Sequence, residues 1–202
     1  MTEFEKPLFI VFTGLMGTGK TTFAQELAQK FSNYFRVSTD DTRRILGKNR
    51  FDPQDTPQVN EHVFLTMRLI LDQDKGVIVD SANKTKMARD KLYSIARECS
   101  VPIVVIECVC SSKTAIKRIT SRPSRDGLHK PTNNAEDYQK YLKLWENIDI
   151  DIIDEKNKDI SFFRLNTDTN MLQLLKKSLR NSINETSFIE ALHKLIEERK
   201  RQ

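Results

Sequence analysis

The chain has 202 residues, with 33 Lys and Arg against 28 Asp and Glu for a net charge of +5, and 38% apolar residues. That length fits one domain, residues 1–202, with a core around a central sheet and no room for a second catalytic domain. The mild basic excess falls short of a dedicated nucleic-acid arm, and no apolar run reaches membrane-spanning length, so a soluble, cytoplasmic protein is expected. From the N-terminus, a first apolar run, Leu8 to Thr13, reads as a strand. Gly14-Leu15-Met16-Gly17-Thr18-Gly19-Lys20-Thr21 follows, a phosphate-binding loop of the G-x-x-x-x-G-K-[ST] type. Its glycines allow backbone N–H groups to turn onto phosphate oxygens, and the next helix points its positive end at the same anion. ATP is therefore the expected ligand, held by Gly14, Met16, Gly17, Thr18, Gly19, Lys20, Thr21 and Thr22. Lys20 neutralises the β and γ phosphates in this reading, and the Thr21 hydroxyl holds Mg2+.

Phe23, Ala24, Leu27, Ala28 and Phe31 recur at helical spacing after the loop, and Phe35 to Ser38 reads as the second strand. That strand delivers Thr39-Asp40-Asp41-Thr42-Arg43-Arg44 to the rim where the phosphate loop opens. A phosphoryl transfer needs a carboxylate to orient and deprotonate the acceptor hydroxyl, and a guanidinium can hold an anionic acceptor. The alternative is an Asp N-cap opening a short helix with solvated arginines. Gly47 to Pro57 reads as a loop, and Val59, Val63, Met67, Ile70 and Leu71 as a helix. The third strand, Val77 to Asp80, ends in a carboxylate placed to reach Mg2+, or else to cap the following helix.

A helix through Leu92, Ile95, Ala96 and Cys99 leads to a fourth strand, Ile103 to Val109. Arg118 and Arg122, one helical turn apart, can converge on one polyphosphate, and with the Pro- and Gly-containing loop beyond them they suggest a lid over about residues 118–135. Tyr138, Leu142 and Trp145 pack a helix onto the body. Asp149, Asp151 and Asp154 lack the glycine and spacing of a calcium loop and read as a solvated turn. Phe162 to Leu165 is the fifth strand, and helices near Thr169 to Leu179 and Thr186 to Arg199 close the chain over about 169–201. The alternation gives an α/β fold, a doubly wound parallel five-stranded sheet of P-loop NTPase type with helices on both faces and a small helical lid. Cys99, Cys108 and Cys110 read as core packing, and His62, His129 and His193 show no metal spacing.

On these residues the chain resembles the kinase domain of phage polynucleotide 5′-hydroxyl kinase and its wider family of P-loop kinases, which includes zeta toxins and the seryl-tRNA kinase. The resemblance runs from about Phe9 to Tyr141. It implies Asp40 as general base, Arg43 as the clamp on an acceptor phosphate, Arg118 near the adenine and Arg122 on the phosphates. Catalysis would thus rest on Asp40, Lys20 and Arg122, with Thr21 and Asp80 at the metal. Ser81-Ala82-Asn83 departs from the family's Thr-Asn, and no phosphatase domain is expected. The reading is an ATP- and Mg2+-dependent kinase acting on a hydroxyl, first a polynucleotide 5′-hydroxyl, second a small metabolite or antibiotic. A non-catalytic ATP-binding adaptor is the alternative. A guanine-nucleotide switch is excluded because Asn83-Lys84-Thr85-Lys86 fails N-K-x-D and no glycine completes D-x-x-G.

Overall fold

The computed structural model describes residues 7–48, 52–121, 135–178 and 183–200. Strands β1 (Phe9–Thr13), β2 (Tyr34–Ser38), β3 (Gly76–Asp80), β4 (Ile103–Val109), β5 (Ile160–Asn166) and β6 (Met171–Lys176) form one sheet in the order β2-β3-β1-β4-β5-β6. The first five pair in parallel, and β6 runs antiparallel to β5. This is a P-loop NTPase fold, in which the central strands β1 and β3, covered on both faces, read as nearly continuous apolar runs. Around them lie α1 (Lys20–Lys30), α2 (Thr39–Ile45), α3 (Thr56–Leu71), α4 (Lys86–Glu98), α5 (Ser112–Thr120), α6 (Ala135–Lys143), α7 (Asp149–Ile152) and α8 (Ile183–Lys200).

The pleat of β1 sorts its side chains between two cores. Leu8, Ile10 and Phe12 pack with Phe23 and Leu27 of α1 and Phe188 and Leu192 of α8. Phe9 and Val11 face the other way, onto Val63 and Met67 of α3 and Leu92 and Tyr93 of α4. In α3 the buried residues Val59, Val63, Met67 and Leu71 fall every fourth position, one stripe down the helix. Each such side chain, moved from water into the core, contributes about 1.5–3 kcal/mol before the entropy of ordering it is subtracted.

The C-terminal part corrects the sequence reading. Met171–Lys176 lies in a strand instead of the helix expected over Thr169 to Leu179, so the sheet has six strands, not five. Met, Leu, Gln and Lys all favour helices, and the exposure of this edge strand follows no two-residue alternation, so neither propensity nor alternation marked it. The free edge of β5 and the turn before it decide the outcome. Asn166 Oδ1 accepts from the N–H groups of Asp168 (2.9 Å) and Thr169 (3.3 Å), Asn170 takes a positive φ of 51°, and the chain reverses. The helix expected near Thr186 to Arg199 is present as α8.

Asp151 is a second correction. It is wholly buried, where a solvated turn was expected. Arg89 grips its carboxylate through Nε and Nη2, both at 2.7 Å, and the Tyr93 hydroxyl donates at 2.8 Å. Tyr138 packs on Ala115 and Ile119 and Trp145 on the α3/α4 core, whereas Leu142 is exposed. Among the described residues no helix is long and apolar enough to cross a membrane.

Candidate functional site

The loop from Gly14 to Gly19 joins β1 to α1 at the carboxyl edge of the sheet. Gly14 and Gly17 have φ of 138° and 79°, and a Cβ would stand 2.4 Å from the Cys108 carbonyl oxygen and 2.5 Å from that of Ala115. Both contacts are with backbone, so only glycine lets the loop lie this close to β4 and α5. Lys20 Nζ donates to the carbonyl oxygens of Gly14 and Leu15, each at 2.7 Å, and Thr18 Oγ1 donates to Leu15 O at 2.8 Å. The N-cap of α1 is Gly19, with no side-chain cap and no acidic residue in the first turn. The first-turn N–H groups are left to an anion, and the loop fits a polyphosphate.

Thr21, exposed at the head of α1, donates from Oγ1 to Asp80 Oδ1 at 3.2 Å. The hydroxyl and the carboxylate expected at the metal therefore meet, and this pair of hard oxygen donors fits Mg2+. Asp80 does not cap the next helix, since Thr85 caps α4 by accepting from Ala88 N at 3.2 Å. Burial pushes the Asp80 carboxyl above the ordinary aspartate range, against the pull of Arg36 and Lys20. Arg36, which the sequence reading missed, donates to Asp80 Oδ2 at 2.6 Å and also pairs with Asp41. Its one signal is a charge inside an apolar strand, in register with Ile78 of β3.

Both carboxylates of the second cluster lie in the first turn of α2, which is capped by Ser38 and not by an aspartate. Asp41 is committed to Arg36 and to Arg44, the latter at 2.5 Å. Asp40 is exposed, with no hydrogen bond or ion pair among the described residues. It does lie within electrostatic reach of Tyr141 in α6, whose phenol is pushed up by burial and then by the Asp40 charge, against Arg43. Lys84 Nζ sits 5.0 Å above the same ring. Neither Tyr141 nor Lys84 stood out in the sequence. Arg43 is 4% exposed, and its guanidinium donates to Thr56 Oγ1 at 2.9 Å and to Asp52 O at 3.4 Å. In this conformation it holds the turn that opens α3, and an acceptor phosphate would compete with those partners.

Arg118 lies against the loop, donating to Gly17 O at 3.3 Å and Thr167 Oγ1 at 2.9 Å. Thr167 was not anticipated. Its hydroxyl also contacts Thr18 O at 2.9 Å, so the β5–β6 turn forms one side of the phosphate loop. The divergent Ser81-Ala82-Asn83 stretch is anchored to β1, with Asn83 Nδ2 donating to Phe12 O at 2.9 Å and Thr13 Oγ1 donating to Ala82 O at 3.2 Å. Arg122, most of the expected lid and His129 lie outside the described residues.

The profile of the AAA domain family AAA_33 matches residues 9–144. Protein KTI12 of Saccharomyces cerevisiae is 28% identical over 127 residues, which is 57% of this chain and 41% of that protein. The chain thus spans well under half the length of that curated relative. Chaetomium thermophilum Kti12, solved with ADP-AlF3, has a similar structure with a TM-score of 0.58 at 20% identity, covering 80% of this chain and 90% of that one. A chain of the Pnkp1/Rnl/Hen1 RNA repair complex has a TM-score of 0.57 at 22% identity, covering 71% of this chain and 45% of that one.

Proposed function

The chain belongs to the AAA_33 family of AAA domains, and from that premise we propose that it is an ATP- and Mg2+-dependent kinase acting on a hydroxyl. The first acceptor in this reading is the 5′-hydroxyl of a polynucleotide, and the second is a small hydroxylated metabolite or antibiotic. One observation carries it: the Thr21–Asp80 pair at 3.2 Å stands at the head of a phosphate loop, on the same sheet edge as Asp40, a carboxylate with no partner among the described residues. A transfer in line needs these two parts, one for the nucleotide's metal and one for the acceptor's proton.

Lys20 and the first-turn N–H groups of α1 bind the phosphates, and Thr21 and Asp80 hold the metal. Mg2+ supplies neutralisation of the phosphate charge when bound. Asp40 orients the acceptor hydroxyl and accepts its proton. Arg118 holds the loop from the side, and Arg122 is assigned to the γ-phosphate on the sequence alone. The test is incubation with labelled ATP against 5′-hydroxyl oligonucleotides, nucleosides, sugars and amino-sugar antibiotics, with Lys20→Ala as the negative control. Label on one acceptor class, lost in Lys20→Ala, is the expected result, and no heat or thermal shift with Mg·ATP would overturn the reading.

A second reading, an ATP-binding adaptor without an acceptor, draws on the burial of Arg43. A guanidinium tied to Asp52 and Thr56 is spent on positioning α3 and is not offered to a substrate. Stoichiometric phosphate release with no labelled acceptor in the panel would favour it.

A further inference from the structure

A cavity of about 160 Å3 lies between α3 and α4 and reaches the ends of β2 and β3. Phe64, Met67 and Met87 supply apolar wall, and Thr39, Asn60 and Ser81 contribute polar groups. The side chains of those three polar residues make no hydrogen bond among the described residues, although Thr13, Asn83 and Thr85 around them are all engaged. Met87 is 68% exposed, a large apolar side chain left open to solvent at this pocket. An apolar pocket with a few convergent, uncommitted polar groups is the usual form of a small-molecule site. Its position matters as much, because Thr39 directly precedes Asp40 and Ser81 directly follows Asp80.

Size and polarity together select the occupant. An apolar cavity of about 150 Å3 takes a single benzene ring, so this one has room for one six-membered ring. Thioethers of Met67 and Met87 and the Phe64 ring suit a flat aromatic face. The Asn60 amide offers a donor and an acceptor side by side, the complement of a ring edge carrying a carbonyl next to an N–H or amine. We infer that this cavity is the acceptor's docking site and that it takes a pyrimidine base, free as a nucleoside or at the 5′ end of an oligonucleotide. A base seated there puts the sugar that carries the 5′-hydroxyl beside Asp40. The inference rests on the kinase reading for its purpose, but its test is binding and stands apart from turnover.

Titration calorimetry without ATP would compare uridine, cytidine, adenosine, benzyl alcohol and a 5′-hydroxyl oligonucleotide beginning with uridine, using wild type, Ala88→Phe and Asn60→Leu. Mg·ATP binding is measured on each protein as the fold control. Pyrimidines should bind at least roughly tenfold more tightly than adenosine, Ala88→Phe should abolish that binding by filling the cavity, and Asn60→Leu should weaken it by roughly 10–100-fold, all with Mg·ATP affinity unchanged. The oligonucleotide binding more tightly than uridine assigns a nucleic-acid end, and equal binding assigns the free nucleoside. Equal affinity for uridine and adenosine, a match by benzyl alcohol, or uridine binding untouched by both substitutions overturns the assignment. Pocket-dependent uridine binding in a protein that ignores Mg·ATP would leave the pocket standing and remove the kinase reading.

Discussion

Replacing Asp151 by alanine takes one partner from an ion pair whose two side chains are both 0% exposed. The carboxylate accepts two bonds of 2.7 Å from Arg89 and one of 2.8 Å from Tyr93, and what remains for the guanidinium is Asn83 O at 3.1 Å and Glu146 O at 3.0 Å. Leaving a buried charge uncompensated costs about 3–5 kcal/mol, and the orphaned Tyr93 hydroxyl adds about 1 kcal/mol. Against a total stability of about 5–15 kcal/mol, that is a large fraction. Urea denaturation should show the midpoint falling with the slope unchanged. The companion variant, Arg89→Met with Asp151→Leu, removes both charges for apolar groups and should recover most of the loss. A loss below about 1 kcal/mol in Asp151→Ala, or a double variant as unstable as the sum of the singles, would refute the argument.

Three further outcomes are expected. Asp40→Asn keeps the shape of the side chain but not its basicity, so transfer should fall by roughly 10²–10⁴ with ATP affinity unchanged, as steady-state kinetics and calorimetry would report. Asp80 sits above the ordinary aspartate value because burial outweighs Arg36 and Lys20, so its protonated form is favoured by the fold. Its contribution to stability is accordingly present at low pH and lost as the pH rises through its raised value, so Asp80→Asn should melt no lower than wild type near neutrality. Cation binding runs the opposite way, weakening as the pH falls through the same value, and a Mn2+ titration followed against pH checks both signs. Finally, desolvation pushes the wholly buried Cys108 thiol to about 12, while Cys99 and Cys110 are partly exposed. Iodoacetamide at mild alkaline pH should alkylate Cys99 and Cys110 in the folded protein and reach Cys108 only in urea, read by peptide mass spectrometry.

The nucleotide half of the site is legible in the sequence because its chemistry is contiguous. Eight successive residues from Gly14 to Thr21 form a loop whose ligand groups are mostly its own backbone. The central strands β1 and β3 are legible for a related reason, since strands buried on both faces leave nearly unbroken apolar runs. What escaped depends on partners far along the chain. Arg36 matters through Asp80, 44 residues on, and Asp151 through Arg89, 62 residues back, and neither pairing leaves a local pattern. The burial of Arg43 is of the same kind, because the Asp52–Thr56 turn that covers it carries no mark of doing so. β6 failed differently, with a composition that favours helix overruled by a turn and an open sheet edge.

Asp40 and Asp41 are adjacent in sequence, share one helical turn and differ only in what surrounds them. Asp41 meets two guanidiniums, Arg36 from β2 and Arg44 one turn on, so both of its oxygens are occupied. Those same contacts fix α2, already capped by Ser38, against the strand end, and Arg36 carries the fixation on to Asp80 at 2.6 Å. A single guanidinium thus ties the carboxylate beside Thr21 to the helix that bears Asp40. With the nearby arginines engaged elsewhere, Arg43 by the α3 turn and Arg36 and Arg44 by Asp41, Asp40 stands exposed with no hydrogen bond or ion pair among the described residues. A general base needs such a setting, held rigidly by its neighbours yet with its own oxygens open to an incoming hydroxyl. That division between neighbouring carboxylates is the physical reason for proposing Asp40, and not Asp41, as the base.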